Sequence, residues 1–190
     1  AGSYRFNDKL KLRGAVSTGF RAPSMQQQFF NNISTQFVTV GEGESEMVIA
    51  QERGTFRNDS ELARAIGIPE LQDEQSNNYS LGLIIEPTDN LSIAIDGYKI
   101  DIDDRIVISG SLTSALGDPN LTAALAASGA SGAQIFINGA DTETDGVDII
   151  VAYDIDQKQS TLVQALAANF TEPKVVNTLS SGGLQNLSPD

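Results

Sequence analysis

The sequence predicts a mainly β chain: an antiparallel meander of about five strands, one stretch of a larger transmembrane β-barrel, with long loops carrying short helices. Three observations carry this expectation. Apolar and polar residues alternate with period two along several segments, as in strands whose two faces meet different media. No run of 18 apolar residues occurs, so no helix spans a bilayer, whereas barrel strands cross with about 9–11 residues and show lipid on alternate positions only. The connections also alternate in length: those at 87–90 and 156–159 are short, and those at 22–75 and 109–140 are long. Outer-membrane barrels have short turns at one end and long loops at the other.

The first strand places Leu10, Leu12, Gly14, Val16, Thr18 and Phe20 on one face and Lys9, Lys11, Arg13, Ala15, Ser17, Gly19 and Arg21 on the other. The second carries Tyr79, Leu81, Leu83 and Ile85 on one side and ends in the turn chemistry of Pro87-Thr88-Asp89-Asn90. The third begins with Leu91, Ile93 and Ile95. Its apolar residues then change parity at Tyr98, Ile100, Ile102 and Ile106, which predicts a bulge at Gly97. The fourth runs through Val147, Ile149, Val151, Tyr153 and Ile155 to a turn at 156–159. The fifth, from Thr161 to Phe170, sets Leu162, Leu166, Ala168 and Phe170 on one face. The faces with Leu10, Leu12, Val16, Leu81, Leu83, Ile149 and Val151 are expected to coincide as the lipid side.

In the long connections, Asp118-Pro119 reads as an N-cap with proline at the first helical position, followed by helix formers to Ala127 and a stop at Gly129. Asn58 to Ile66 is a second helix candidate, closing at Gly67. The chain starts in mid-pattern at Tyr4-Arg5-Phe6 and ends in a polar stretch, Ser180 to Asp190, which reads as a piece of a longer protein.

Composition narrows the functional classes. The chain has no Cys and no His, which removes disulfides, thiolate metal sites, Ser-His and Cys-His catalysis and imidazole switching. Its net charge is −13, with 8 basic and 7 acidic residues in 1–64 against 4 and 18 in 65–190. So acidic a surface repels phosphate backbones and anionic headgroups, which argues against nucleic acid as a partner.

Few constellations suggest chemistry. Asp141-Thr142-Glu143-Thr144-Asp145-Gly146 has calcium-loop spacing, but the twelfth position is Ala152 where such loops carry a bidentate acid, and a strand leaving an acidic loop fits better. Asp101, Asp103 and Asp104 beside Arg105 read as a polar strand end. Lys9, Lys11, Arg13 and Arg21 share a face that in a barrel would point into the lumen, there to attract an anionic substrate or pair with acids of a plug; a solvated strand face is the equal alternative. The Asn-x-Ser/Thr triplets at Asn32, Asn78 and Asn169 follow from the abundance of those residues. No phosphate loop or nucleophile elbow occurs, so no cofactor and no enzymatic activity are expected.

Four segments carry a family resemblance. Leu12-Arg13-Gly14-Ala15-Val16-Ser17-Thr18-Gly19-Phe20-Arg21-Ala22-Pro23-Ser24 resembles a strand-to-loop segment of TonB-dependent outer-membrane receptors, with Gly19 to Ser24 its most specific part. Leu71 to Gly82 resembles the next strand start, with Asp73 where the family often has proline. Leu91 to Ile106 is similar to a third hallmark, with Gly97 where an aromatic is usual. Phe136 to Asp148 resembles a fourth, and the four stand in family order.

The resemblance implies a 22-stranded barrel plugged by an N-terminal domain, residues 1–190 being a partial barrel domain without the plug. It implies active import across the outer membrane of a scarce nutrient, a ferric siderophore first, an oligosaccharide or cobalamin next. TonB, the plug, the nutrient and outer-membrane lipid are the implied partners. Arg21, Arg13 and Tyr98 are the candidate substrate-binding residues, because a guanidinium in a plugged barrel is suited to hold a carboxylate through paired hydrogen bonds. The alternative is a soluble β-rich binding or adhesion module that shares the strand pattern.

Overall fold

The computed structural model describes residues 1–40, 46–157 and 160–178; the turn expected at 156–159 lies partly outside them, as does the polar stretch from Ser180. Among the described residues the chain forms nine strands rather than about five. These are β1 Gly2–Asn7, β2 Leu10–Arg21, β3 Asn32–Val40, β4 Met47–Phe56, β5 Glu74–Thr88, β6 Leu91–Ile108, β7 Leu112–Thr113, β8 Gly132–Gln157 and β9 Ser160–Thr178. Three helices, α1 Met25–Phe29, α2 Glu61–Ala65 and α3 Pro119–Ser128, lie in the two long connections. Among the described residues the chain divides into two compact units, Ala1–Phe20 with Gln75–Asp103 and Asp141–Val176, and Arg21–Glu74 with Asp104–Ala140 and 177–178.

The first unit contains the sheet order β1-β2-β5-β6-β8, with β9 paired to β8. Pairing is antiparallel between β1 and β2, with Tyr4 opposite Leu12, and between β5 and β6, with Leu81 opposite Gly97. A β-carbon added at Gly14 would meet Leu81 Cδ1 at 3.6 Å, and one at Gly19 would meet Ser76 Oγ at 2.9 Å. Even-numbered residues of β2 therefore share a face with odd-numbered residues of β5. In register, Leu83 and Ile85 face Ile95 and Ile93 of β6. Lys99 Nζ meets Glu143 Oε2 at 2.7 Å on that same face, so alternation along β8 adds Val147, Ile149 and Val151 to it. The expected apolar face thus forms. It is uncovered: Val16 is 66% exposed, Leu81 61% and Leu166 73%.

The expected bulge at Gly97 does not occur. The β5–β6 register runs unbroken from Gln75↔Asp103 to Ile85↔Ile93, and its irregularity lies between Ile85 and Thr88. Tyr98, Ile100 and Ile102 are simply on the other face. Farther along β6, Asp104 has a φ of 56°, a left-handed conformation that Asp tolerates better than most residues.

The second unit is built differently. Strands β3, β4, β8 and β7 are neighbours in that order, and β4 pairs with the start of β8 in parallel, Arg53↔Gly132 through Phe56↔Ile135. This pair departs from a pure antiparallel meander. One face carries Phe56, Ile135 and Leu112 and packs with Leu62 of α2 and Leu121 and Leu125 of α3 into a buried cluster. Every buried hydrophobic residue among the described ones lies in this unit. The connection after α2 is pinned by buried Asn58, whose Nδ2 donates to the carbonyls of Pro69 and Phe136 and whose Oδ1 accepts from Leu71 N–H.

Helix ends follow local chemistry. Asp118 accepts from the N–H groups of Asn120 and Leu121, and α3 stops at Gly129, φ 71°. Ser60 caps α2, two residues later than the start read from sequence, and Gly67 follows with φ 75°. Ser24 and Gln27 form a reciprocal capping box on α1, which gives the Pro23-Ser24 signature a structural role.

Candidate functional site

In the first unit, the face opposite the apolar one holds a set of partnered polar groups. Arg13 Nε donates to Asp96 Oδ1 at 2.8 Å while Nη2 reaches Oδ2, a bidentate pair between β2 and β6. The strand between them contributes Gly82, where a β-carbon would stand 1.9 Å from Asp96 Oδ1 and 2.9 Å from Arg13 Nε. Glycine there lets the ion pair span β5.

Tyr98, two residues beyond Asp96, repeats the device across β8. A β-carbon at Gly146 would come within 2.2 Å of its ring. The Tyr98 hydroxyl lies 2.7 Å from Thr171 Oγ1, which itself donates to Asn169 Oδ1 at 2.7 Å. Because the threonine proton is used there, the tyrosine proton goes to Thr171. Asn169 Nδ2 donates back to the Tyr98 oxygen at 3.3 Å and also to Asp148 Oδ1, closing a ring of hydrogen bonds. Arg13 and Tyr98 therefore share one polar face. In the turn before β2, Lys9 Nζ donates to the Pro87 carbonyl at 2.8 Å.

Arg21 belongs to the second unit. Its Nε donates to Glu74 Oε2 at 2.7 Å, and Glu74 Oε1 also accepts from the Ile106 N–H at 2.8 Å. Glu74 thus ties the ends of β2, β5 and β6 together. Its side chain is 8% exposed and that of Arg21 62%. Burial works against ionisation of Glu74, yet the Arg21 hydrogen bonds, the Ile106 N–H and the nearby charges of Arg21 and Arg105 outweigh it and hold the carboxyl below its usual range.

The acidic stretches behave as strand. Residues 141–146 run inside β8, with Glu143 engaged by Lys99. Asp101 lies 3.5 Å from Lys99, and the Asp104 carbonyl accepts from Asn138 at 2.7 Å. Among the described residues no three carboxylates gather as a metal site.

Sequence reading named Arg13, Arg21 and Tyr98 but missed their partners Asp96, Glu74, Asp148, Asn169 and Thr171. These partners come from other strands, so only the register reveals them. The glycines were the available signal: Gly82 and Gly146 both stand in the recognised motifs, and each makes room for one named residue.

A single-layer sheet with one bare apolar face and one hydrogen-bonded polar face, whose long connections fold around a core of their own, defines the wall of a barrel with structured loops. The chain belongs to the TonB dependent receptor-like β-barrel family, whose model matches residues 1–188. Two solved structures are similar in fold. One is the RagAB peptide importer in a 'closed-closed' state, with 15% identity and a TM-score of 0.51 over 91% of this chain and 16% of that one. The other is the siderophore receptor PirA from Acinetobacter baumannii, with 18% identity and a TM-score of 0.50 over 80% of this chain and 20% of that one. The chain therefore spans about a sixth to a fifth of the length of those proteins. No curated protein matches it.

Proposed function

We propose that this chain supplies part of the wall and outer loops of an outer-membrane importer that takes up a scarce nutrient with energy transmitted by TonB. The observation that carries the reading is the division of apolar surface. The second unit builds a buried core, although Met25, Phe37 and Val48 stay exposed there, while among the described residues the first unit buries no hydrophobic residue and leaves Val16, Leu81, Leu166 and Phe170 more than 60% exposed on one face. Bare apolar surface of that extent is rare in water and ordinary against lipid, where closure of the strands satisfies every backbone group. The same observation disfavours the soluble binding or adhesion module.

Within that reading the polar face of the first unit is the lumen wall. A plug domain and TonB are the partners. A ferric siderophore or similar iron complex is the leading cargo, ahead of an oligosaccharide or cobalamin. Arg21, with most of its side chain in water beside a buried carboxylate, is the proposed ligand or plug contact. Tyr98 offers a second contact, and Arg13 serves mainly the wall. Growth of a strain lacking the gene on single iron and sugar sources, with and without functional TonB, tests the proposal. Loss of growth on one source, restored by the gene only when TonB is present, is expected. Restoration without TonB overturns it.

A further inference from the structure

Residues 32–36, 51–55 and 132–134 of the second unit place one parity of each strand on the face opposite the hydrophobic cluster. Ser34 is opposite Arg53, which is opposite Gly132, and Asn32 is opposite Thr55, which is opposite Gln134. These residues line a cleft of about 250 Å³ together with Ser111 and Gln36. No aromatic or large apolar side chain lines it, and Arg53 is its single ionic group.

Arg53 differs from three other arginines of the chain. Arg13, Arg21 and Arg57 each use the edge formed by Nε and Nη2 to hold a carboxylate, on Asp96, Glu74 and Asp59 respectively. Arg53 makes no ion pair among the described residues. Its Nη1 donates to Ser111 Oγ at 3.2 Å, its Nη2 makes only a long 3.4 Å contact with Gln51 Oε1, and its Nε is buried without an acceptor. Its stem passes Gly132, where a β-carbon would stand 3.7 Å from Cγ. A buried guanidinium N–H with no partner is costly, and such groups are rare enough to call for a reason.

We propose that this cleft binds the carboxylate of a hydrophilic ligand. The carboxylate displaces the long Gln51 contact at Nη2, and the guanidinium turns to bring its buried Nε to the same carboxylate, the pairing that three carboxylates make elsewhere in the chain. The amides of Asn32, Gln36 and Gln134 and the hydroxyls of Ser34 and Thr55 take the ligand's neutral polar groups. One guanidinium suits a single negative charge, and the acidic chain disfavours more highly charged anions. A peptide C-terminus and an acidic sugar share this chemistry. The inference deepens the import reading only if the ligand is also the cargo; binding itself does not depend on transport.

The test is calorimetric titration of the intact receptor in detergent with trialanine, trialanine amide and the monoanionic sugar methyl galacturonoside. At least one carboxylate probe should bind. Trialanine binding identifies a peptide source, and amidation should then weaken it by about ten-fold or more; methyl galacturonoside binding alone identifies a sugar source. Arg53→Gln and Arg53→Lys should each weaken the bound probe by about ten-fold or more, and Arg57→Gln should leave it unchanged. The proposal is overturned if neither carboxylate probe binds the wild type, if trialanine and its amide bind equally, or if Arg53→Gln binds normally. The wild-type arms decide the matter even if both Arg53 variants misassemble. Uptake lost with binding retained counts against import and not against the site.

Discussion

The ring of Tyr98 occupies the space above Gly146, so closely that a β-carbon on Gly146 would lie 2.2 Å from the Tyr98 Cζ atom. Backbone conformation does not demand this glycine, since its φ is not in the left-handed region. The aromatic ring demands it. Gly146→Ala should displace Tyr98 and open the ring of hydrogen bonds through Thr171 and Asn169. The expected cost is about 1–3 kcal/mol, the usual range for forcing extra volume into a packed site. Urea titration of the intact receptor in lipid vesicles checks it, and Tyr98→Ala with Gly146→Ala should cost less than the two separate losses combined.

Gly82 makes the matching prediction for Arg13. Gly82→Ala should break the bidentate pair with Asp96, whereas Gly97→Ala, where a β-carbon would have only the Leu81 carbonyl at 3.9 Å, should be tolerated. Comparing the folded fraction of the two variants after assembly into vesicles separates a steric requirement from a general intolerance of change in these strands.

Glu74 gives a pH dependence whose sign follows from its surroundings. Its carboxyl is held below the ordinary range in the folded protein, so its contribution is fully present above the unfolded value of about 4.3. That contribution is lost as pH falls through the lower folded value. Melting temperature should therefore be insensitive to this group at neutral pH and fall below about pH 4. Glu74→Gln should cost about 1–3 kcal/mol at neutral pH and flatten part of the acid limb. Arg21→Ala, by contrast, should lower ligand affinity or uptake with little loss of assembled receptor if Arg21 contacts ligand; equal assembly defects in Arg21→Ala and Arg13→Ala would contradict that role.

The two faces of β5 should respond oppositely to charge. Leu81→Arg places a guanidinium on the apolar face and should cost about 2–4 kcal/mol if that position lies near the bilayer midplane. Ser80→Arg, on the neighbouring parity and therefore on the polar face, should cost far less. Heat-modifiable mobility of the assembled receptor on gels measures both.

How much of this was legible depended on the range of the interactions. The alternation in β2, β5, β8 and β9 records the medium each face meets, a local signal, and it placed Leu10, Leu81 and Ile149 on one side correctly. Local caps were equally readable at Asp118 and Gly129. Strands β3 and β4 were read as loop because Ile33 and Phe37 are separated by Thr35, and Glu52 interrupts the next strand, so neither shows an unbroken apolar face. The change of apolar parity in β6 was visible but was misread as a bulge at Gly97: the register is unbroken there, and Tyr98, Ile100 and Ile102 lie on the face opposite Ile93 and Ile95. The partners Asp96, Glu74 and Asn169 were beyond reach because their roles depend on register across strands distant in sequence.

The central claim is that one face of the first unit meets lipid and the other water. The chain has no cysteine, so single cysteines can carry spin labels in the intact receptor without other changes to this segment. Labels at 10, 12, 16, 81, 83, 149 and 151, and at their neighbours 11, 80, 148 and 150, should be measured in lipid vesicles for collision with oxygen and with a water-soluble nickel chelate. The account predicts period-two alternation, with oxygen dominant at the first set and the chelate dominant at the second. Equal access of the chelate to both sets would contradict it.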